Sequence, residues 1–187
     1  MSFFPIETDR VILRAVVPED AKAIAAYQGR EDVAQYVSWQ PRTRQRVEEL
    51  ISRWIAMNGE GEASEGVQYV VVDKSSGEIV GDCMLMYGDR EARQGEIGYL
   101  IDPRFHGRGF ATEAARAMLG VGFEVAGMHR ISARCDGRNT ASWRVMEKLG
   151  MRREAHFRDH AIIKGEWGDE MVYAICEDEW RSSLENQ

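Results

Sequence analysis

Apolar positions along this 187-residue chain follow two spacings. Short runs at Arg10–Val16, Val67–Asp73, Glu78–Tyr87, Ile97–Ile101 and His129–Cys135 predict strands, because they are dense in Val, Ile and Leu and bounded by turn formers. Val47, Leu50, Ile51, Trp54 and Ile55 recur at threes and fours, as do Ala111, Ala114, Ala115, Met118, Leu119 and Gly122. Each set predicts one apolar helix face, the second reaching to about Val125. Pro18-Glu19-Asp20 opens an earlier helix to about Gln28, with proline in the first turn where its missing N–H costs nothing. Asn139 caps a short helix carrying Ser142, Met146 and Leu149 on one side and closed by Gly150. Met151 to Cys176 reads as two strands around Lys164-Gly165-Glu166-Trp167-Gly168, and the polar tail from Glu177 as fraying. Lys74-Ser75-Ser76-Gly77 joins two strands as a hairpin turn. Residues 29–44, with Tyr36, Trp39 and Pro41, and the acidic stretch 59–66 are irregular.

The chain is organised around Gly95 to Glu113. There an apolar strand is stopped by Asp102-Pro103, since proline removes a ladder donor and restricts the residue before it. Gly107-Arg108-Gly109 follows, and a helix begins at once. Strand, glycine turn and helix start aim several unpaired N–H groups and a helix dipole at one spot, which suits a phosphate. A dinucleotide fingerprint would need its third glycine at Thr112 and an acidic partner after a second strand. A Walker loop would need Gly-Lys-Ser/Thr, which does not occur. A third pattern, Arg/Gln-x-x-Gly-x-Gly/Ala, is matched by Arg104-Phe105-His106-Gly107-Arg108-Gly109.

Composition narrows the field. With 44% hydrophobic and 29% charged residues, the chain reads as one soluble domain with a sizeable core at about 8–176. No apolar run reaches membrane-span length and the start lacks a signal-peptide layout, so the expected location is cytoplasmic, with no membrane partner. Cys83, Cys135 and Cys176 are odd in number and widely spaced, as reduced core thiols are. The net charge of −7 argues against a nucleic-acid partner and is compatible with a cationic one. His156 and His160 sit four apart, but on a predicted strand, so no metal site is expected.

The Arg104–Gly109 pattern resembles the pyrophosphate-binding turn of the GNAT superfamily of acyl-CoA-dependent N-acetyltransferases. The element order (strand, two helices, three strands, helix, strand, helix, two strands) is similar to that fold along nearly the whole chain. Thr8-Asp9-Arg10-Val11-Ile12-Leu13-Arg14, Asn139-Thr140-Ala141-Ser142 with Glu147-Lys148-Leu149-Gly150-Met151, and Trp167-Gly168-Asp169 with Glu179-Trp180 resemble the RimJ/RimL-like branch, the ribosomal-protein N-terminal acetyltransferases. The resemblance implies a single α/β (α+β) domain with a mixed, mostly antiparallel sheet of six or seven strands and about four helices. It implies acetyl-CoA as co-substrate and an amine acceptor, either a protein N-terminal α-amine or a small amine such as a polyamine or aminoglycoside. A CoA-binding sensor without catalysis is the reading of a different class. Oligomeric state is left at monomer or homodimer.

Site residues follow from the same resemblance. Strand groups at Leu100, Ile101 and Asp102 are expected to meet the pantetheine amides, and donors at His106, Gly107, Arg108, Gly109, Phe110, Ala111 and Thr112 the pyrophosphate. Arg104 and Arg108 add charge, and Asn139 either meets the pantetheine arm or only caps its helix. An amine with a pKa near 10.4 is neutral in only about one molecule in two thousand at pH 7, so a base helps. Glu96, sharing a strand face with Gly98 and Leu100 ahead of the turn, is the expected base, directly or through water. The departing thiolate benefits from a hydrogen donor. Many family members place a tyrosine where Met146 stands here, and Ser142 resembles the serine that takes this role in the RimL-like branch. Tyr36, Trp39, the acidic loop and Asp169 are candidates for the acceptor mouth.

Overall fold

The computed structural model describes residues 3–58 and 65–185. Among them eight strands form one sheet: β1 (Ile6–Glu7), β2 (Val11–Ala15), β3 (Gly66–Asp73), β4 (Ile79–Tyr87), β5 (Gln94–Ile101), β6 (Arg130–Asp136), β7 (Arg152–Ile163) and β8 (Glu166–Cys176). Their order across the sheet is β1-β2-β3-β4-β5-β6-β8-β7. Neighbours pair antiparallel throughout, except that β5 and β6 run parallel. The helices are α1 (Ala21–Gln28), α2 (Glu31–Ala34), α3 (Arg44–Met57), α4 (Phe110–Gly120), α5 (Thr140–Lys148) and α6 (Glu177–Glu185).

The class matches the expectation, and the counts exceed it for physical reasons. Ile6 and Glu7 pair with Leu13 and Ile12 as a strand of two residues, too short to show a period. Helix α2 is a single turn. The C-terminal tail is a helix rather than a frayed end. Glu177, Asp178 and Glu179 fill its first turn, where the dipole favours acids, and Trp180 is buried against Phe123 with ring centroids 5.8 Å apart. The helix expected to run to Val125 is α-helical to Gly120 and then widens into a π-helical turn over Val121–Val125, with the Ala126 N–H donating to the Val121 carbonyl at 2.9 Å. The β7–β8 turn is tighter than expected. Lys164 and Gly165 both have positive φ, as a two-residue hairpin turn requires, and Glu166, Trp167 and Gly168 belong to β8. Most of the acidic loop expected at 59–66 lies outside the described residues.

Both faces of the sheet are covered, which is why β3 is apolar on both sides. Tyr69, Val71, Cys83, Leu85, Ile97 and Ile101 face a large core with Ala114, Met118 and Leu119 of α4 and Met146 of α5. Val70 faces a smaller core with Ile24 and Tyr27 of α1 and Val47 and Ile51 of α3, onto which Leu100 packs.

One irregularity positions the site. β5 pairs with β4 along its length, from Gly95 to Ile101, yet pairs with β6 only at Gln94–Arg130, Gly95–Ile131 and Glu96–Ser132. Beyond Glu96, β6 stays with β8 while β5 stays with β4. The sheet therefore opens into a wedge between Ile97–Ile101 and Ala133–Asp136. Helix α4 starts just after the β5 side and α5 just after the β6 side.

Candidate active site

The β5 wall of the wedge is unpaired backbone. The Asp102 N–H donates to the Val80 carbonyl of β4 at 2.9 Å, whereas the Gly95 carbonyl accepts from the Ser132 hydroxyl of β6 at 3.2 Å. Strand alternation carries those directions along β5. Even-numbered residues address β4, and Ile97, Tyr99 and Ile101 address the wedge. The backbone groups a ligand can reach are thus those of Tyr99 and Ile101 rather than those expected at Leu100 and Asp102. The Ile101 carbonyl accepts from His106 Nε2 at 2.8 Å, which fixes that nitrogen as the protonated one and leaves the Ile101 N–H facing the wedge. Leu100 instead turns its side chain to the α1–α3 core. The buried Asp102 carboxylate caps the 103–105 turn, accepting from Arg104 N at 3.0 Å and Nε at 2.9 Å.

At the wedge's end, Gly107 (φ 75°) and Gly109 (φ 84°) both adopt left-handed backbone, which glycine enters without a Cβ penalty. Gly109 is the N-cap of α4, and the first helical rung is Glu113 N–H to Gly109 C=O at 3.1 Å. The amides of Phe110, Ala111 and Thr112 precede that rung and have no intrahelical acceptor. A Cβ built at Gly107 meets nothing within 4 Å, so the turn's outer side is open. Unpaired amides, a helix dipole and an open approach form a cradle that fits a diphosphate. Arg104 is bound to Asp102 at 2.8 Å and approaches Glu78 at 3.9 Å, so its charge is partly matched. Arg108 lies over the Phe105 ring and borders a recess of about 530 Å³ lined also by Asp9, Arg10, Asp73, Lys74, Ser75 and Phe110.

The turn is braced from behind. Glu113 accepts from the Thr8 hydroxyl (2.6 Å), the Arg10 N–H (2.8 Å) and the Arg10 guanidinium (Nε 2.7 Å, Nη2 2.6 Å), while Arg10 Nη1 donates to the Arg108 carbonyl at 2.8 Å. Burial pushes the Glu113 carboxyl up, but these donors outweigh it and hold the carboxyl below its usual value near 4.5.

Between the two walls sits a hydroxyl pair. The Tyr99 phenol donates to the Ser142 carbonyl at 2.8 Å, and the Ser142 hydroxyl lies 3.3 Å from the phenol oxygen. Asn139 accepts from the Ser142 N–H at 3.1 Å, the cap expected of it. Burial pushes the Tyr99 phenol above its usual range and the neighbouring Cys135 thiol up to about 11, so both stay protonated at neutral pH. Met146 is buried in the core and carries no hydrogen to donate. Tyr99 was not legible as a site residue, because its alternation with Ile97 and Ile101 reads as core.

Glu96 sits on the opposite face, the one shared with α1 and α3, in a chain of charges across four strands. Arg134 of β6 donates to Glu96 at 3.1 Å and approaches Glu170 of β8 at 3.7 Å; His160 of β7 is 3.5 Å from the same Glu170 oxygen. A further recess, about 480 Å³, is lined by Glu31, Asp32, Gln35, Arg138, Ile163, Lys164 and Glu166. Its α2 wall belongs to a loop closed at its neck. Arg42 donates its N–H to the Gln28 carbonyl (3.0 Å) and Nη1 to the Gln28 side chain (2.7 Å), whose Nε2 donates to the buried Asp82 carboxylate (2.8 Å). Tyr27 (2.6 Å) and Gln68 (3.0 Å) also donate to Asp82. Trp39 rests on the Arg42 guanidinium at 4.1 Å, and Tyr36 is half-buried in the same loop; neither lines the recess. Asp169 accepts from His156 at 2.6 Å and from the Asp159 N–H at 3.0 Å, so its carboxylate is engaged within the β7–β8 hairpin.

A sheet splayed beside a glycine turn and helix start is the architecture of an acyl-CoA-dependent transferase, and comparison with known proteins agrees. The model of the acetyltransferase (GNAT) domain family matches residues 10–152, and the chain belongs to that family as an N-acetyltransferase. It is 33% identical to the uncharacterized N-acetyltransferase YnaD of Bacillus subtilis, over 94% of this chain and 98% of that one. It is 26% identical to the [ribosomal protein uS5]-alanine N-acetyltransferase of Escherichia coli, over 94% and 92%. The crystal structure of a GNAT-family acetyltransferase from Bacillus anthracis superposes with a TM-score of 0.83 at 31% identity, covering 94% of this chain and 99% of that chain.

Proposed function

We propose that this chain acetylates a protein N-terminal α-amine in the cytoplasm, and that the opening of the sheet beyond Glu96 is where transfer takes place. The observation that carries this reading is the pairing of that opening with the Gly107–Thr112 amides. Acetyl-CoA, the co-substrate of the family, supplies an acetyl carbon activated as a thioester. The Gly107–Thr112 amides hold the diphosphate, and the Tyr99 and Ile101 backbone groups hold the pantetheine amides as an added strand would. The acceptor enters from the α1–α3 face. Glu96 takes its proton, directly or through water, with Arg134 fixing the carboxylate. A terminal amine, with a pKa of about 8, needs only modest help from such a half-exposed base. On the other side of the wedge the Ser142 hydroxyl, whose hydrogen otherwise points at the Tyr99 oxygen 3.3 Å away, turns from it to donate to the departing sulfur. Trp39 and Tyr36 shape the acceptor loop, and the identity to the Escherichia coli relative supports a protein acceptor.

The test is incubation with acetyl-CoA and either an alanine-initiated peptide containing an internal lysine, the same peptide with its α-amine blocked, or spermidine. Thiol release with mass gain only on the free α-amine is expected. Release with spermidine alone assigns a small-amine acceptor. CoA binding without release from any acceptor assigns a sensor.

A further inference from the structure

Resting on the reading of the glycine turn as the diphosphate site, we infer that Arg10 is a positioning residue that aims the turn's amides without touching the ligand. Its side chain makes two attachments at once. Nε and Nη2 grip Glu113 in the first turn of α4, and Nη1 holds the Arg108 carbonyl at 2.8 Å. A trans peptide unit points its C=O and the following N–H in opposite directions. Holding the Arg108 carbonyl toward Arg10 therefore points the Gly109 N–H the other way, away from Arg10, and fixes its direction just ahead of the free Phe110–Thr112 amides.

Gly109 completes the lock. A Cβ there would lie 3.2 Å from Arg10 Nη2, so the guanidinium fits against a bare α-carbon. Arg10 also covers the Phe110 ring at 5.2 Å, and the Thr8 hydroxyl and Arg10 N–H supply Glu113's remaining donors. The segment ahead of β2 thus fixes both ends of the turn, residue 108 through its carbonyl and residue 113 through its carboxylate. The two attachments use different nitrogens of one rigid planar fork, a spread of donors that the compact ammonium of lysine on its flexible stem does not reproduce.

The experiment measures dissociation constants of CoA, dephospho-CoA and S-acetylpantetheine for wild type, Arg10→Met and Arg10→Lys. Both variants are expected to bind CoA and dephospho-CoA about tenfold more weakly, with S-acetylpantetheine, which lacks the diphosphate, within twofold. Lysine should behave as methionine does, since geometry rather than charge is lost. Should Arg10→Met not fold, Thr8→Val is expected to show the same ligand pattern at about threefold. Three outcomes overturn the inference: CoA affinity unchanged in Arg10→Met; a loss for CoA but not dephospho-CoA, which would mean direct contact with the 3′-phosphate; or equal loss for all three ligands, which would mean general loosening. If wild type binds S-acetylpantetheine as tightly as CoA, the diphosphate reading itself fails, whatever Arg10 does.

Discussion

Tyr99 and Ser142 are joined twice across the open end of the sheet: the phenol donates to the serine carbonyl at 2.8 Å, and the serine hydroxyl lies 3.3 Å from the phenol oxygen. The pair ties β5 to the first turn of α5, so the donor proposed for the sulfur is held by both walls of the wedge. Ser142→Ala should lower kcat by about a hundredfold, the lower end of proton-transfer contributions, while leaving KM for acetyl-CoA within about twofold. Tyr99→Phe should lower kcat in the same direction, and the double variant should lose no more than the worse single one, because the two act as a unit. Steady-state kinetics with the alanine-initiated peptide checks this; additive losses would separate the two roles.

The neck of the 29–42 loop depends on a buried carboxylate. Asp82 holds Gln28, Gln28 holds Arg42, and Arg42 carries Trp39. Asp82→Asn turns an acceptor toward Gln68 into a donor and removes the charge facing Arg42. Amide exchange in residues 29–42 is expected to rise by about tenfold while the Gly107–Thr112 segment is unchanged, and KM for the peptide should rise more than KM for acetyl-CoA. Uniform exchange across the chain would contradict a local role.

The C-terminal helix buries one large side chain in the core. Trp180 is buried and stacked on Phe123, and among the described residues its indole N–H has no acceptor. Trp180→Ala should destabilise the fold by about 3–5 kcal/mol. Trp180→Phe, which removes the unpaired donor and keeps much of the ring volume, should cost under about 1.5 kcal/mol. Denaturant melts of the three proteins measure both.

Acid should loosen the brace behind the turn. The Glu113 carboxyl is held below its usual value near 4.5 in the folded state, so the folded protein binds fewer protons there than the unfolded chain. Its stabilisation is fully present above about 4.5 and is lost as pH falls through the depressed value. Wild type should therefore melt higher than Glu113→Gln at pH 7, with the gap closing below about pH 4.5. A gap independent of pH would show that the donors around Glu113 do not set its ionisation.

What could be read from the sequence divides along a physical line. The glycine turn, α4 and Asn139 as a cap announced themselves because proline, glycine and asparagine act locally. The same holds for the long strands, whose period needs no partner. The C-terminal helix did not, because its sequence is polar and its anchors are distant in the chain: Trp180 finds Phe123, Glu177 finds Arg93 and Glu179 finds Arg152. The direction of the β5 amides was likewise hidden. One residue of alternation, set by pairing with β4, decides whether Leu100 or Tyr99 faces the wedge. Tyr99 itself was masked by its apolar neighbours, and Arg10's link to Glu113 spans 103 positions.

The account rests on the amides of the glycine turn meeting a diphosphate, and backbone amide shifts followed during titration with CoA test that most directly. The largest changes are expected at Gly107–Thr112, with Tyr99 and Ile101 next and the residues lining the α2 recess unmoved. Changes that spare Gly107–Thr112 and centre elsewhere would contradict it.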